Sequence, residues 1–516
     1  MTPESPIEIE AQSGLLPSPL DPGLAESDIA ALKKHSVRGS AAAFAAQGIR
    51  FLIKLATQVL IARLLLPADY GLVAMVAPIL SLSYLMGELG LGQAIILEPN
   101  ITSAEISSLF WFSLALNSVL AGCLVLLSPG MAWLYHEPRT IQITLALAAL
   151  LPITGLAAQH IALLNRQMRF VPLAVLDVVP PAIGLAAGLT AARSGWGYWS
   201  LIAVATAEAA STVIVAWSLS CWRPSRPVRH GQIGKLIRMG GDITGYNLAG
   251  YVATSVDNIL LGVFQGSAAL GLYDRGRKLV TQPIGQLLIP VGRVAMPLLT
   301  RLRPDAYRYK RAYLDMLRIM MLAAMPGILF AMVMARPLIV FLLGGRWEGV
   351  APVFAWLCLG SLASPLYSST FWLFTTQDRT RQQMIYVTAT SVISVIAFVA
   401  GLPWGPVGVA AGAGLSFVLI STPLVCWGAT KNGLVTPIDL TMALLPLLIA
   451  GSATAVGLEI VRMRVLLDGV ALLATSAILS YGFFVGVLLC LPFGQPIVRR
   501  AWHFGTLLTQ GRETAA

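Results

Sequence analysis

Long apolar runs separated by short polar loops fill this chain from about residue 40 onward. They fall at roughly 40–63, 71–97, 107–128, 141–163, 172–192, 197–218, 240–264, 270–298, 313–343, 352–376, 384–402, 407–428, 438–458 and 467–492. Each is close to or above the ~20 residues a helix needs to cross a ~30 Å hydrocarbon core. The pattern predicts an all-α polytopic membrane protein with about fourteen transmembrane helices. A membrane β-barrel would instead alternate apolar and polar positions in segments of about ten residues. The run 313–343 holds Pro326 and Arg336-Pro337, which predict a kink or an interfacial portion.

The polar positions inside the runs are few and patterned. Residues 254–297 contain two apolar runs, yet carry Asp257, Asp274, Arg275, Arg277, Lys278 and Arg293. Charges at bilayer depth face a protein interior or a watery cavity, because lipid exposure costs several kcal/mol. In the first run Gln47, Arg50, Lys54 and Gln58 share one helical face. The second adds Ser81, Tyr84 and Glu88, and the seventh adds Asn247, Thr254, Asp257 and Asn258. The eighth also carries Thr281, Gln282 and Gln286.

An internal repeat relates these faces. At one offset Arg38 falls on Arg238, Leu60 on Leu260, Gly71-Leu72 on Gly271-Leu272 and Gly92 on Gly292. A slightly larger offset places Gln167 and Arg169 on Gln377 and Arg379. The order of runs and loops then divides the chain. Residues 1–35 form an acidic, Pro-rich tail, 36–219 a six-helix half, and 220–239 a basic linker. Residues 240–430 form a second six-helix half, 431–492 two extra helices, and 493–516 a terminal tail. An even number of spans per half makes the repeat parallel, and transporters built this way bind substrate between the halves.

Composition agrees with the pattern. The chain is 56% hydrophobic and 11% charged, with mean hydropathy +0.76, against about 25% charged for soluble domains. The net charge of +11 is spread over loops, not gathered in a patch, which argues against nucleic acid as a partner. Placing the N-terminus in the cytoplasm puts most loop Lys and Arg inside, including Arg166, Arg169, Arg223, Arg226, Arg301, Arg303, Arg308, Lys310 and Arg311. The outer loops then keep only Arg63, Arg139, Arg193, Arg346, Arg462 and Arg464. That asymmetry predicts both termini in the cytoplasm. Residues 1–35 lack the basic and apolar regions of a signal peptide and read as disordered. The five cysteines lie in or beside apolar runs without a CxxC pair, and His136-Glu137 does not extend to a zinc motif, so no metal site is expected.

Counting charges on the first, second, seventh and eighth runs gives Arg50, Lys54, Arg275, Arg277, Lys278 and Arg293 against Glu88, Asp242, Asp257 and Asp274. Surplus positive charge suits an anionic substrate such as a diphosphate headgroup. Arg50, Lys54, Arg277, Lys278 and Arg293 are the candidate substrate contacts. Asp257 and Glu88 are the candidate ion-coupling carboxylates, for H+ or Na+. A purely structural reading stands beside this one. Asp274 and Lys278 can neutralise each other at i, i+4, and Asp257 can pair with Lys54 or Arg50 as a buried bridge.

Several stretches carry a family resemblance: ARLLLPADYGLVAMV (62–76), GELGLGQAIILEPNITSAEISSLFWFSLALN (87–117), LNRQMRF (164–170), GYWSL (197–201) and DNILLGVFQGSAALGLYDRGRKLVTQPIGQLLIPVGRVAMPLLTRL (257–302). They resemble the bacterial oligosaccharide flippases of the multidrug/oligosaccharidyl-lipid/polysaccharide exporter superfamily, nearest the exopolysaccharide and colanic-acid types, over roughly 36–430. The resemblance implies a MATE-like fold and an inner-membrane protein, not an enzyme. Its substrate would be an undecaprenyl-diphosphate-linked oligosaccharide repeat unit, moved by ion-coupled alternating access. It also implies membrane lipid, a polysaccharide polymerase and a co-polymerase as partners. No single site residue carries over from the family, since no fixed motif marks its cavity charges. Two alternatives share the fold, a MATE-like drug/cation antiporter and a lipid II flippase. The basic surplus disfavours the first. A membrane enzyme would need a large outer loop, and these are short.

Overall fold

The computed structural model describes residues 45–88, 90–98, 101–227, 255–464, 469–492, 494–496 and 498–499. The tail 1–35, most of the linker 220–239, the start of the seventh run with Asp242, Asn247 and Thr254, and most of 493–516 lie outside the described residues. Among the described residues every regular element is helical, and 12 helices are long and apolar enough to cross a membrane. Their outward faces are apolar: Leu126 is 81% exposed and Ile478 73%. This is the inverse of a water-soluble surface. Trp133, Trp196 and Trp404 stand exposed near helix ends, where amphipathic rings suit the headgroup layer. Ser and Thr hydroxyls inside the spans bond back to carbonyls of their own helix, as Thr57 does to Ile53 and Ser83 to Ile79. That satisfies a polar group where no water is available.

The difference between about fourteen predicted spans and 12 helices has a local cause. Two helices are double length, α8 (Val256–Leu302) and the stretch Thr380–Thr430. In α8 the helical path breaks at Gly266, at φ 79° and ψ −177°, a region open essentially to glycine alone. In the second stretch Gly405 turns at φ 65° after the 3-10 turn Leu402–Trp404. A Cβ on Gly412 would lie 2.5 Å from the Ala397 carbonyl oxygen. That contact shows the chain doubling back. The stretch Thr380–Thr430 therefore holds two predicted spans joined by a tight turn, and α8 holds the described end of the seventh run together with the eighth.

The chain divides into two compact units, Met1–Ser255 and Val256–Ala516. The first holds α1 (Ala45–Ala62), α2 (Pro67–Glu88), α3 (Ser103–Tyr135), α4 (Arg139–Ala148), α5 (Leu150–Arg166), α6 (Phe170–Arg193) and α7 (Trp199–Leu219). Helix α3 begins at a capping box, with Thr102 accepting from the Glu105 amide and Glu105 accepting from the Thr102 amide. Helices α6 and α7 form a close hairpin. Gly184 and Gly188 let α7 approach, and a Cβ on Gly188 would sit 2.2 Å from Val204 and 2.7 Å from Ile61 of α1. This is the small-xxx-small contact that drives helix association in lipid. The linker leaves α7 strapped to this unit. The Trp222 indole donates to the Ser103 hydroxyl at 3.2 Å, and the Ser225 amide donates to Ser107 at 3.1 Å.

The second unit contains α8, α9 (Ala306–Val333), α10 (Val350–Ser361), α11 (Ser364–Thr376), α12 (Thr380–Gly401), α13 (Gly405–Ser416), α14 (Thr422–Thr430), α15 (Pro437–Arg464) and α16 (Gly469–Cys490). One large apolar core ties α9 to α11, α15 and α16 through Tyr309, Tyr313, Leu317, Leu373, Leu447 and Phe484. The two tyrosine hydroxyls are spent inside it, Tyr309 on Thr376 at 2.6 Å and Tyr313 on Ser369 at 2.8 Å. Helix α16 is fixed to α9 by the Ser480 hydroxyl donating to the Pro326 carbonyl at 2.7 Å. The predicted break in 313–343 falls at Met334, two residues before Arg336-Pro337, and the helix runs on through Pro326. A separate helix, Ala335–Leu343, follows, and its Arg336 meets Glu348 at 2.7 Å.

Candidate functional site

Helix α8 assembles a charged cluster by folding on itself. Asp257 lies before the Gly266 turn, and Tyr273, Asp274, Arg275, Arg277 and Lys278 lie after it. Arg277 donates to the Asp257 carboxylate at 2.7 Å and the Tyr273 hydroxyl donates to the same oxygen at 2.9 Å, across separations of 20 and 16 residues. On a continuous helix, at ~1.5 Å per residue, those groups would be roughly 24–30 Å apart. The turn at Gly266 is what closes the gap. The pair lies about ten residues from that turn, or roughly 15 Å, which is about half the thickness of a hydrocarbon core.

One residue further along at each end, Lys278 donates to Asp274 at 2.8 Å, and the Arg275 guanidinium stands 3.5 Å from the same carboxylate. The two carboxylates are buried, with side chains 5% exposed. The cations are less so: Arg277 is 29% exposed and Lys278 39%. The acids thus sit on the protein side with Arg275, itself only 9% exposed, while Arg277 and Lys278 reach the open side. Three cations over two anions leave one surplus positive charge. Arg293, farther along α8, is exposed and makes no ion pair or hydrogen bond among the described residues.

The predicted α1 stripe meets the α6–α7 hairpin. Arg50 pairs with Asp177 at 2.5 Å, and Lys54 stands 3.7 Å from Glu208. Each of these cations is held by an acid of its own unit, and Asp257 is held by Arg277 and Tyr273. Asp177 and Glu208 are the residues that sequence reasoning missed. They lie on the fifth and sixth runs, outside the four counted for cavity charge, and were visible as isolated acids in apolar segments. Counting them lowers the positive surplus of the first unit's stripe, where two cations now face two acids. Thr57, which the offset that sets Leu60 on Leu260 also sets on Asp257, spends its hydroxyl on its own helix. Glu88 is exposed at the end of α2 and makes no ion pair among the described residues.

Among the described residues no three His, Cys, Asp or Glu side chains gather as a metal site. What the two clusters offer is mobile positive charge. Partly exposed Arg and Lys side chains are held by internal carboxylates, and an incoming anion can compete for them.

The chain matches the family described as "Polysaccharide biosynthesis protein" over residues 60–352, more than half its length. It belongs to that family. Among curated relatives, this polysaccharide biosynthesis protein is 23% identical to the succinoglycan biosynthesis transport protein ExoT of Rhizobium meliloti, over 61% of this chain and 62% of ExoT. The lipopolysaccharide biosynthesis protein WzxC of Escherichia coli is 20% identical over 65% of this chain and 70% of its own. The amylovoran biosynthesis protein AmsL of Erwinia amylovora is 22% identical over 63% and 85%. The match thus spans about three-fifths of the first of these relatives.

Solved structures share the fold. The lipid II flippase MurJ superimposes with TM-score 0.68 at 15% identity, covering 88% of this chain and 99% of MurJ. An inward-facing multidrug resistance MATE family transporter of the MOP superfamily follows with TM-score 0.56 at 16% identity, covering 73% and 93%. The polysaccharide biosynthesis protein is thus an all-α, multi-pass membrane protein of MATE-like fold, as its apolar runs and resemblance predicted.

Proposed function

We propose that this protein is a flippase for an undecaprenyl-diphosphate-linked oligosaccharide repeat unit, acting in exopolysaccharide biosynthesis. It sits in the bacterial inner membrane with both termini in the cytoplasm, and it works by alternating access coupled to H+ or Na+. The observation that carries the reading is the open-sided set of cations on α8, Arg277, Lys278 and Arg293, in a chain of a polysaccharide biosynthesis family. A relative named as a succinoglycan transport protein supports the substrate class.

The diphosphate contacts are Arg277, Lys278 and Arg293 on α8 of the second unit; Arg50 and Lys54 on α1 are the first unit's own candidate contacts. Asp177, Glu208, Asp257 and Asp274 hold these cations when substrate is absent. Such counter-anions avoid leaving bare charge at bilayer depth, and they keep binding weak enough for release. Asp257 and Glu88 serve the coupling ion. A polysaccharide polymerase and co-polymerase take the translocated unit onward.

The test is Arg293→Ala, alone and combined with Lys278→Ala, in a strain whose polymer depends on this gene; Asp274 keeps Arg275 beside it in both variants. The expected result is loss of polymer with normal membrane insertion. Full polymer output from correctly inserted protein overturns the assignment. Lysis on depletion, without loss of exopolysaccharide, would instead identify lipid II as cargo.

A further inference from the structure

We propose that a groove on the N-terminal part of α9 is a binding site for the phosphate group of a membrane lipid, separate from the α8 cluster. The groove encloses about 260 Å³ and is lined by Tyr307, Lys310, Arg311, Leu314, Asp315 and Arg318. These positions recur at three- and four-residue steps, so they share one helical face. The opposite face of α9, with Tyr309, Tyr313 and Leu317, is fully buried in the core of its unit. The groove runs along the edge of that core, which Leu314 joins.

The groove's cations are incompletely used. Lys310 is held by Asp439 at 2.6 Å. Arg318 reaches Asp315 only at 3.4 Å, and its buried Nε–H finds no hydrogen-bond acceptor among the described residues. Arg311 is exposed and makes no ion pair or hydrogen bond among them. Three cations thus line the groove against one lining acid. Even with Asp439 counted on Lys310, one positive charge remains.

A buried guanidinium N–H without an acceptor keeps an uncompensated desolvation cost, larger for a charged donor than for a neutral one. A phosphate oxygen would relieve that cost and match the guanidinium fork. The setting fits a lipid. Tyr307 is 71% exposed and Arg308 is an exposed neighbour, as expected where a helix enters the interface. Arg318 lies about two to three turns deeper, beyond the buried Leu314. A headgroup phosphate can span that depth from the interface, and basic pockets beside membrane helices take anionic headgroups in this way.

The experiment uses the purified full chain in detergent, with bound lipid read by native mass spectrometry. The probes are phosphatidylglycerol, phosphatidylcholine and undecaprenyl diphosphate. The wild type is expected to retain phosphatidylglycerol in preference to phosphatidylcholine. The variant Arg311→Gln/Arg318→Gln should bind it about tenfold more weakly, the loss of one to two charge-assisted contacts. Arg308→Gln, outside the groove and already paired with Asp305, should bind like wild type. If the double variant does not insert, Arg311→Gln alone carries the test, since that side chain makes no ion pair or hydrogen bond among the described residues; about a threefold loss is expected. Phosphatidylglycerol that undecaprenyl diphosphate does not displace marks a bulk phospholipid site. Displacement marks a site for the lipid carrier, and both uphold a phosphate groove. Unchanged binding in the groove variants overturns it, as does an equal loss in Arg308→Gln. Because no transport is measured, failure here leaves the flippase reading standing.

Discussion

Asp257 and Arg277 are 20 residues apart in sequence and 2.7 Å apart in space, with the Gly266 turn between them. The carboxylate is buried and also accepts from Tyr273, so the pair ties the two arms of the α8 hairpin together. Removing either partner leaves a poorly compensated charge. Asp257→Ala is expected to cost about 3–5 kcal/mol, read as a lowered thermal midpoint in detergent. In a double-mutant cycle with Arg277→Ala, the coupling should reach roughly 1–3 kcal/mol. A coupling near zero would show that the two side chains do not hold the hairpin.

The turn itself depends on glycine. At φ 79° and ψ −177° an L-residue is strained by about 1–3 kcal/mol. Gly266→Ala should lower stability by that amount, although nothing lies within 4 Å of the added Cβ. Gly285, also with open space around it but at an ordinary helical position, should tolerate Ala. Equal midpoints for the two variants would rule out backbone strain as the reason for Gly266.

Gly188 tests a different constraint, space between helices. Its missing Cβ leaves room for Val204 and Ile61. Gly188→Leu should separate α6 from α7 and α1, and protease sensitivity in membranes should rise strongly. The compensating Val204→Ala should recover part of the packing. If Gly188→Leu inserts and resists protease like wild type, the close contact is not needed.

The α1 cations give a functional prediction. Lys54 stands 3.7 Å from Glu208 with both side chains partly exposed, so the pair contributes roughly 0–1 kcal/mol to stability. Arg50→Ala with Lys54→Ala should therefore leave the thermal midpoint nearly unchanged, yet reduce polymer output at least about tenfold if these groups bind the diphosphate. Asp177→Asn with Glu208→Gln removes the competing anions and should tighten binding of a diphosphate analogue. Unchanged analogue binding in both pairs of variants would take α1 out of the substrate path.

The buried hydroxyl pair Tyr313–Ser369 offers a stability control away from the charges. Tyr313→Phe removes one donor from a fully buried contact at 2.8 Å. The expected cost is about 1–3 kcal/mol, with polymer output retained at growth temperature. Loss of output at unchanged stability would give this tyrosine a role beyond packing.

The sequence by itself determined the elements. Backbone groups in lipid must be bonded within the segment, so each long apolar run can only be a helix. The sequence also determined the local charge pair, because Asp274 and Lys278 are neighbours on any helix. The tertiary structure decided which distant charges meet. Arg50 and Asp177 are 127 residues apart, and no helical period relates them. Their pairing follows from how α1 lies against the α6–α7 hairpin, which rests on Gly188 leaving room for Ile61 and Val204. For the same reason Asp257 could be recognised as a buried carboxylate, while its partner became visible only once the turn at Gly266 brought Arg277 beside it.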